Sequence, residues 1–443
     1  MKRKYILISL PLLVLFSIVF FTSCEKEKVE PPDNKTENGN TQDTIAQLNK
    51  AFYNLMNEWY YWYEKIPDID PDDYDDSNPM KNLRNILDDI RYENDSYSYI
   101  TSYEAFLQYF EEGSYTGYGF GYKWDDKDTL RLTFVFDESP LKEEGIERGW
   151  ALTKVNGNTV TPDNFNQLLG GEENDFTFIS PDGDETVNSA FARKNISMNT
   201  VLKDTVIEYK GNRVGYLVLK SFIDKTPDEL TEAFSHFNDE NIDELIIDLR
   251  YNGGGTLSAS RFLGEFIYEA GSNDIYVEIT HSDKKSERDT THVFGQDSLN
   301  INLGLNKVYF LTTQATASAS EALINGLKPT ELDVYTIGEA TYGKPVGMYP
   351  FTDNNNEYAF LPVCFSLKNA AGDADYYDGL QPDAAMNDDF KQPFGSLDDD
   401  LLYQALYHIE NDNFDMKKTR EIMKPRPENR VEYKSLQDEI GAL

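Results

Sequence analysis

The chain has little cysteine, little histidine and few cations for its acids. Its two cysteines, Cys24 and Cys364, support no cystine framework. The four histidines, His236, His281, His292 and His408, form no HExxH, and neither CxxC nor GxxxxGK[ST] occurs. No metal site or cofactor is therefore expected. Basic residues number 41 against 78 acidic ones, a net charge of -37. Such a surface repels phosphate backbones, which argues against nucleic acid as a partner and for simple solubility. A long uninterrupted apolar run is missing as well. The stretch from Ile6 to Phe21 is broken by Pro11 and two serines and is short for a membrane span.

That same stretch suits a secretory signal, because MKRK supplies the positive start. It ends in Phe21-Thr-Ser-Cys24, followed at once by the polar EKEKVEPPDNKTENGNTQD. The arrangement resembles a bacterial lipobox, with Phe21 in place of the usual leucine. The resemblance implies lipidation of Cys24 and a lipid-anchored protein of the bacterial cell envelope. Cys364, inside AFLPVCFSL, reads as a small core residue of a strand.

At 443 residues, with aromatics at 13%, the chain can bury a large core and form two or three domains. Residues 25–42 read as a linker. From Ile45 apolar residues recur three or four apart, and further helices are expected around Met80–Arg91 and Tyr103–Phe110, giving a helical domain over 43–112. The acid-rich PDIDPDDYDDSNP between them fails the calcium-loop pattern, with Asp73 and Pro79 where Gly and Glu are needed. Residues 113–198 alternate like half-buried strands around one short helix. Over 199–412 strands and helices alternate: VGYLVL, ELIIDL, VYFLT and VYTIG with helices near 227–237, 257–268 and after Ser318. The expected fold class is α/β, with a mostly parallel sheet covered by helices. Residues 275–295 look like a peripheral hairpin, and 413–443 like a loosely attached tail.

Three segments of the α/β part carry chemistry. In Asp248-Leu-Arg-Tyr-Asn-Gly253-Gly254-Gly255 an apolar strand runs into glycines, where a backbone N–H can approach an anion. In QATASASEALINGL a helix begins near Ser318, and Ser318-Ala-Ser-Glu321 reads equally as a capping box or as a nucleophile beside a helix dipole. In GEATYGKPVG, Lys344 sits beside Gly343 and Pro345. Burial would favour its neutral form, as a general base requires.

In their order these segments resemble the C-terminal processing peptidases, or tail-specific proteases, of the Clp/crotonase-like superfamily. Upstream, Tyr118-Gly119-Phe120-Gly121 resembles the carboxylate-binding loop of a PDZ domain, and SPLKEEGIERGWALTKVNG its helix-turn-strand core. The resemblance implies a serine endopeptidase acting on polypeptides chosen partly by their C-termini. Ser318 would be the nucleophile, Lys344 its base, and the N–H groups of Gly254 and Ala319 the oxyanion hole. Ser320 would serve packing. Family members often carry a glutamine four residues after the lysine; Met348 stands there instead. That departure keeps a second reading in play, a non-catalytic peptide-binding lipoprotein on the same scaffold. Crotonase-like acyl-thioester chemistry ranks third, since it leaves the Ser/Lys pair unexplained.

Overall fold

The computed structural model describes residues 45–415 except 270, 272, 296–300 and 302, together with Leu436 and Leu443. Cys24, its signal segment and the linker lie outside the described residues. The central sheet holds six strands in the spatial order Val201–Tyr209, Asn212–Leu219, Glu244–Asp248, Lys307–Thr312, Asp333–Gly338 and Ala384–Ala385. The first pair is antiparallel and every later pair parallel. Parallel strands need crossovers and are covered on both faces, which explains their near-continuous apolar composition. Ile246, Ile247, Tyr309 and Phe310 are accordingly fully buried.

The helices Thr226–Glu240, Leu257–Ile267 and Ala319–Leu327 cover the sheet as the periodicity predicts. The helix Asp400–Asn411 has no counterpart among the expected ones. It presents Leu401, Leu402, Ala405 and Leu406 to the cluster around Val214, Tyr216 and Ile337. The edge strand Val201–Tyr209 was also not distinguished, because its residues are half-exposed without alternation.

The expectation of a peripheral hairpin is corrected. Ile275–His281 and Thr290–Val293 do form a hairpin, but Ile275–His281 also pairs with Val363–Lys368. That strand in turn pairs with Val346–Met348, the strand directly after Lys344. The hairpin thus belongs to the sheet that carries the lysine segment. Its buried Tyr276, Val277 and Ile279 show why: they are core residues. Cys364 lies buried in the same sheet, and burial pushes its thiol up to about 12.

Upstream, the helices Ile45–Trp59, Pro79–Ile90 and Tyr103–Phe110 surround one strand, Tyr99–Ser102, which pairs with Tyr358–Leu361. The N-terminal segment is therefore stitched into the core by a ladder as well as by packing. The acidic loop holds only a short turn at Pro71–Asp73, capped by Asp70. Among the described residues no acidic, histidine or cysteine group could hold a metal ion.

The β-rich module has strands Phe120–Trp124, Leu130–Val135, Ala151–Val155, Glu173–Ile179 and Thr186–Ala192 in one sheet. The short helix Pro140–Glu143 begins at Ser139, whose Oγ accepts from Leu141 N–H and donates to the Tyr118 carbonyl. Arg148 of this module reaches into the α/β core, where its guanidinium meets Asp388 at 2.7 Å.

Candidate active site

The three hydroxyls of this stretch, Thr316, Ser318 and Ser320, differ in burial and partners. Thr316 is buried, with its hydroxyl on the Leu249 carbonyl at 2.8 Å. Ser320 is also buried, with Oγ on the Asn252 carbonyl at 3.1 Å, which is the packing role expected of it. Ser318 alone of the three is half-exposed. Its backbone sits at φ 56° and ψ -116°, immediately before the helix Ala319–Leu327. A side-chain-bearing residue held there stores roughly 1–3 kcal/mol of strain, which persists only where the surroundings over-determine it.

Those surroundings converge on Glu321. This fully buried carboxylate accepts from Ser318 N–H at 2.9 Å, Lys344 N–H at 2.8 Å, Gly343 N–H at 2.6 Å and Thr341 Oγ1–H at 2.5 Å. The amides of Ser318 and Lys344 share one oxygen, Oε2, so the two turns are neighbours in space. Burial pushes the Glu321 carboxyl above its ordinary value, against the pull of these four donors. The sequence showed Glu321 only as a helix cap; its larger role depends on donors from the Thr341–Lys344 turn, which no local pattern reveals.

Lys344 is buried, and its Nζ lies 5.9 Å from the centroid of the Tyr97 ring. The Tyr97 hydroxyl donates to the Gly343 carbonyl at 2.6 Å. Tyr97 comes from the N-terminal helical segment, so that segment forms a wall of the lysine's surroundings. Met348 packs among apolar residues of a cluster that includes Tyr99 and Leu361. It offers no polar atom comparable to a glutamine amide.

The glycine turn lies against Ser318. A Cβ on Gly254 would sit 2.8 Å from Ser318 Cβ and 3.0 Å from Ala319 N, and its φ of +105° also requires glycine. Ala319 opens its helix, so its N–H has no intrahelical acceptor. The Gly254 N–H, however, donates to Asn252 Oδ1 at 2.9 Å. Asn252 also accepts the Ala317 N–H on its carbonyl, and its buried Nδ2 has no partner among the described residues. Asn252 thus ties the glycine turn to the serine turn, a role its place in the motif only hints at.

Three of the four histidines are engaged with residues outside these three segments. His236 meets Asp204 at 2.7 Å, His281 meets Tyr349 and Asp289, and His408 meets Tyr309 at 3.0 Å. Burial lowers the His408 imidazole from its ordinary value.

In the β-rich module, Tyr118 N–H and Gly119 N–H each donate to the backbone oxygen of Leu443 at 2.7 Å, and Leu443 N–H donates to the Phe120 carbonyl at 2.8 Å. Gly121 has a different function. A Cβ there would meet Phe134 Cε1 at 2.2 Å, so its glycine admits that ring.

Residues 213–386 match peptidase family S41, and residues 47–99 match the peptidase S41 N-terminal domain. The carboxy-terminal processing protease CtpA of Bacillus subtilis is 25% identical over 372 residues, spanning 81% of this chain and 72% of the relative. CtpB of the same organism is 22% identical over 343 residues, spanning 75% and 67%. Among solved structures, the S41-family protein of Bacteroides fragilis aligns with a TM-score of 0.68 at 25% identity, covering 85% of this chain and 99% of that one. The photosystem II D1 C-terminal processing protease, at 18% identity and a TM-score of 0.50 over 78% and 94% of the two chains, shares the fold. The chain belongs to peptidase family S41 and is a serine-type peptidase.

Proposed function

We propose that the protein is an endopeptidase working through a Ser318/Lys344 dyad on polypeptides chosen partly by their C-termini. The observation that carries this reading is the shared Glu321 oxygen, which holds the serine and lysine turns together. In the first step Lys344, as a neutral amine, takes the Ser318 hydroxyl proton while Oγ bonds to the scissile carbonyl carbon. The resulting oxyanion is met by the Ala319 N–H and by the Gly254 N–H, which must share or leave its bond to Asn252. Collapse breaks the C–N bond, and the lysine ammonium returns the proton to the leaving amine. Water then hydrolyses the ester by the same route and restores both residues.

Substrate selection would fall to the PDZ-like loop Tyr118–Gly121, whose paired N–H groups suit a terminal carboxylate. Lipidation at Cys24 would tether the enzyme in the cell envelope; among the described residues no helix is long and apolar enough to cross a membrane. Replacing Cys24 by alanine should then release the protein from the membrane fraction.

The direct test uses purified protein lacking residues 1–24 and an unfolded polypeptide. The wild type should cleave it, and Ser318→Ala should not. Peptide binding with no cleavage by either protein would select the non-catalytic reading that Met348 motivates.

A further inference from the structure

We infer that Tyr97 is the positioning residue of Lys344, so that the N-terminal helical segment supplies a working part of the dyad and not only a wall beside it. The inference rests on the Ser318/Lys344 reading and names what holds the lysine within it. The strand that follows the lysine, Val346–Met348, carries no polar side chain, so it can orient the amine only by packing. Tyr97, remote in sequence, meets the lysine turn twice. Its hydroxyl donates to the Gly343 carbonyl at 2.6 Å, and its ring lies under Nζ, 5.9 Å from centroid to nitrogen.

The two contacts have different consequences. Glu321 accepts the Gly343 and Lys344 N–H groups, and Tyr97 donates to the carbonyl between them, so the turn is fixed on both sides. The ring acts on the amine itself. An aromatic face attracts an ammonium yet leaves the lone pair of the neutral amine free for the Ser318 proton. When Nζ takes that proton it becomes the cation the ring favours, and the proton then passes to the leaving amine. A carboxylate in the same place would hold the lysine charged throughout.

Tyr97 can act in this way because it is itself held rigidly. Its buried ring meets that of Tyr342 edge to face, with centroids 5.9 Å apart. The buried Asp95 carboxylate accepts the N–H groups of Tyr97 and Ser98, each at 2.9 Å, and the Tyr60 hydroxyl at 2.7 Å. Ser98 Oγ accepts the Val363 N–H at 2.9 Å, and Val363–Lys368 pairs with Val346–Met348. Tyr97 is thus anchored both to the helical segment and to the lysine's own sheet.

The test is a double-mutant cycle. Tyr97→Phe and Tyr97→Leu are made in the purified protein with Lys344 intact and with Lys344→Met. Peptide turnover gives kcat and KM, and an activated peptide ester keeps the slow variants measurable. With the lysine present, Tyr97→Leu should lower kcat roughly ten- to a hundredfold. Tyr97→Phe, which keeps the ring, should recover part of that and lose only roughly two- to tenfold. In both, KM should stay within about twofold and circular dichroism should not change. In the Lys344→Met background neither substitution should slow the residual rate further. If Tyr97→Leu does not fold, the two phenylalanine variants decide alone. An equal fold-loss in both backgrounds, an unchanged kcat, or a raised KM at constant kcat would overturn the inference. Wild-type turnover by Lys344→Met would instead remove the dyad, and the inference with it.

Discussion

Glu321 and Asp388 are both carboxylates buried in the α/β part, yet they are satisfied in opposite ways. Glu321 is met by three amides and a hydroxyl, all neutral. Asp388 is met by the Arg148 guanidinium at 2.7 Å, the Arg250 guanidinium at 3.0 Å and the Tyr251 hydroxyl. The shifts differ in sign. At Glu321 burial dominates and the carboxyl rises. At Asp388 burial is outweighed by Arg148 and Arg250, which hold the carboxyl far below the usual range. The ionic cluster also takes in Asp248 and Asp399 around the fully buried Arg250. It joins the β-rich module to the core and only has to hold. The neutral clamp holds the Ser318 and Lys344 turns together without a cation among its four donors.

This contrast can be broken from either side, and the largest effect belongs to the chemistry itself. Lys344→Met should lower kcat by on the order of a thousandfold with the fold intact, as measured by peptide turnover beside circular dichroism. Next comes the ionic cluster. Arg250→Met leaves Asp248, Asp388 and Asp399 without their shared cation and should cost about 3–5 kcal/mol in urea unfolding. Activity per folded molecule should change far less than in the lysine variant.

Glu321→Gln is a smaller perturbation of stability but is aimed at the site. Its amide nitrogen would face N–H donors, at a cost of about 1–3 kcal/mol. Loosening the two turns should reduce kcat/KM by roughly ten- to a hundredfold. If activity survives unchanged, Glu321 is only a cap.

The subtlest effect is a difference of sign with pH. The folded-state carboxyl of Asp388 lies below its ordinary 3.8, so its stabilisation is present above that value and is lost as pH falls through the acid range beneath it. Glu321 lies above its ordinary 4.5, so its ionisation costs stability at higher pH, and that cost fades as pH falls toward 4.5. Urea unfolding across this range should show the stability gap between wild type and Asp388→Asn narrowing at the most acid end. The gap to Glu321→Gln should instead widen as pH falls to 4.5.

What was legible in the sequence follows the range of the interactions. The parallel strands announce themselves as apolar runs because they are buried on both faces, as ELIIDL and VYFLT show. The serine turn is legible because Ser318 precedes a helix whose first turn carries Glu321. The hairpin from Ile275 was misjudged because its partner strand, Val363–Lys368, is remote in sequence. The strand Val201–Tyr209 hides because an antiparallel edge with half-exposed residues has no clean period. Tyr97 beneath Lys344, and Leu443 at the Tyr118 loop, are long-range meetings that no spacing encodes. Most of the tail expected over 413–443 lies outside the described residues.

The central claim is that Lys344 activates Ser318 and no other hydroxyl. It is tested most directly by trapping the acyl-enzyme with a slowly hydrolysed peptide ester and mapping the adduct by mass spectrometry. The account predicts a single acyl group on Ser318 that forms rapidly in the wild type and is all but lost in Lys344→Met. An adduct on Ser320 or Thr316, or equal acylation rates in the two proteins, would contradict it.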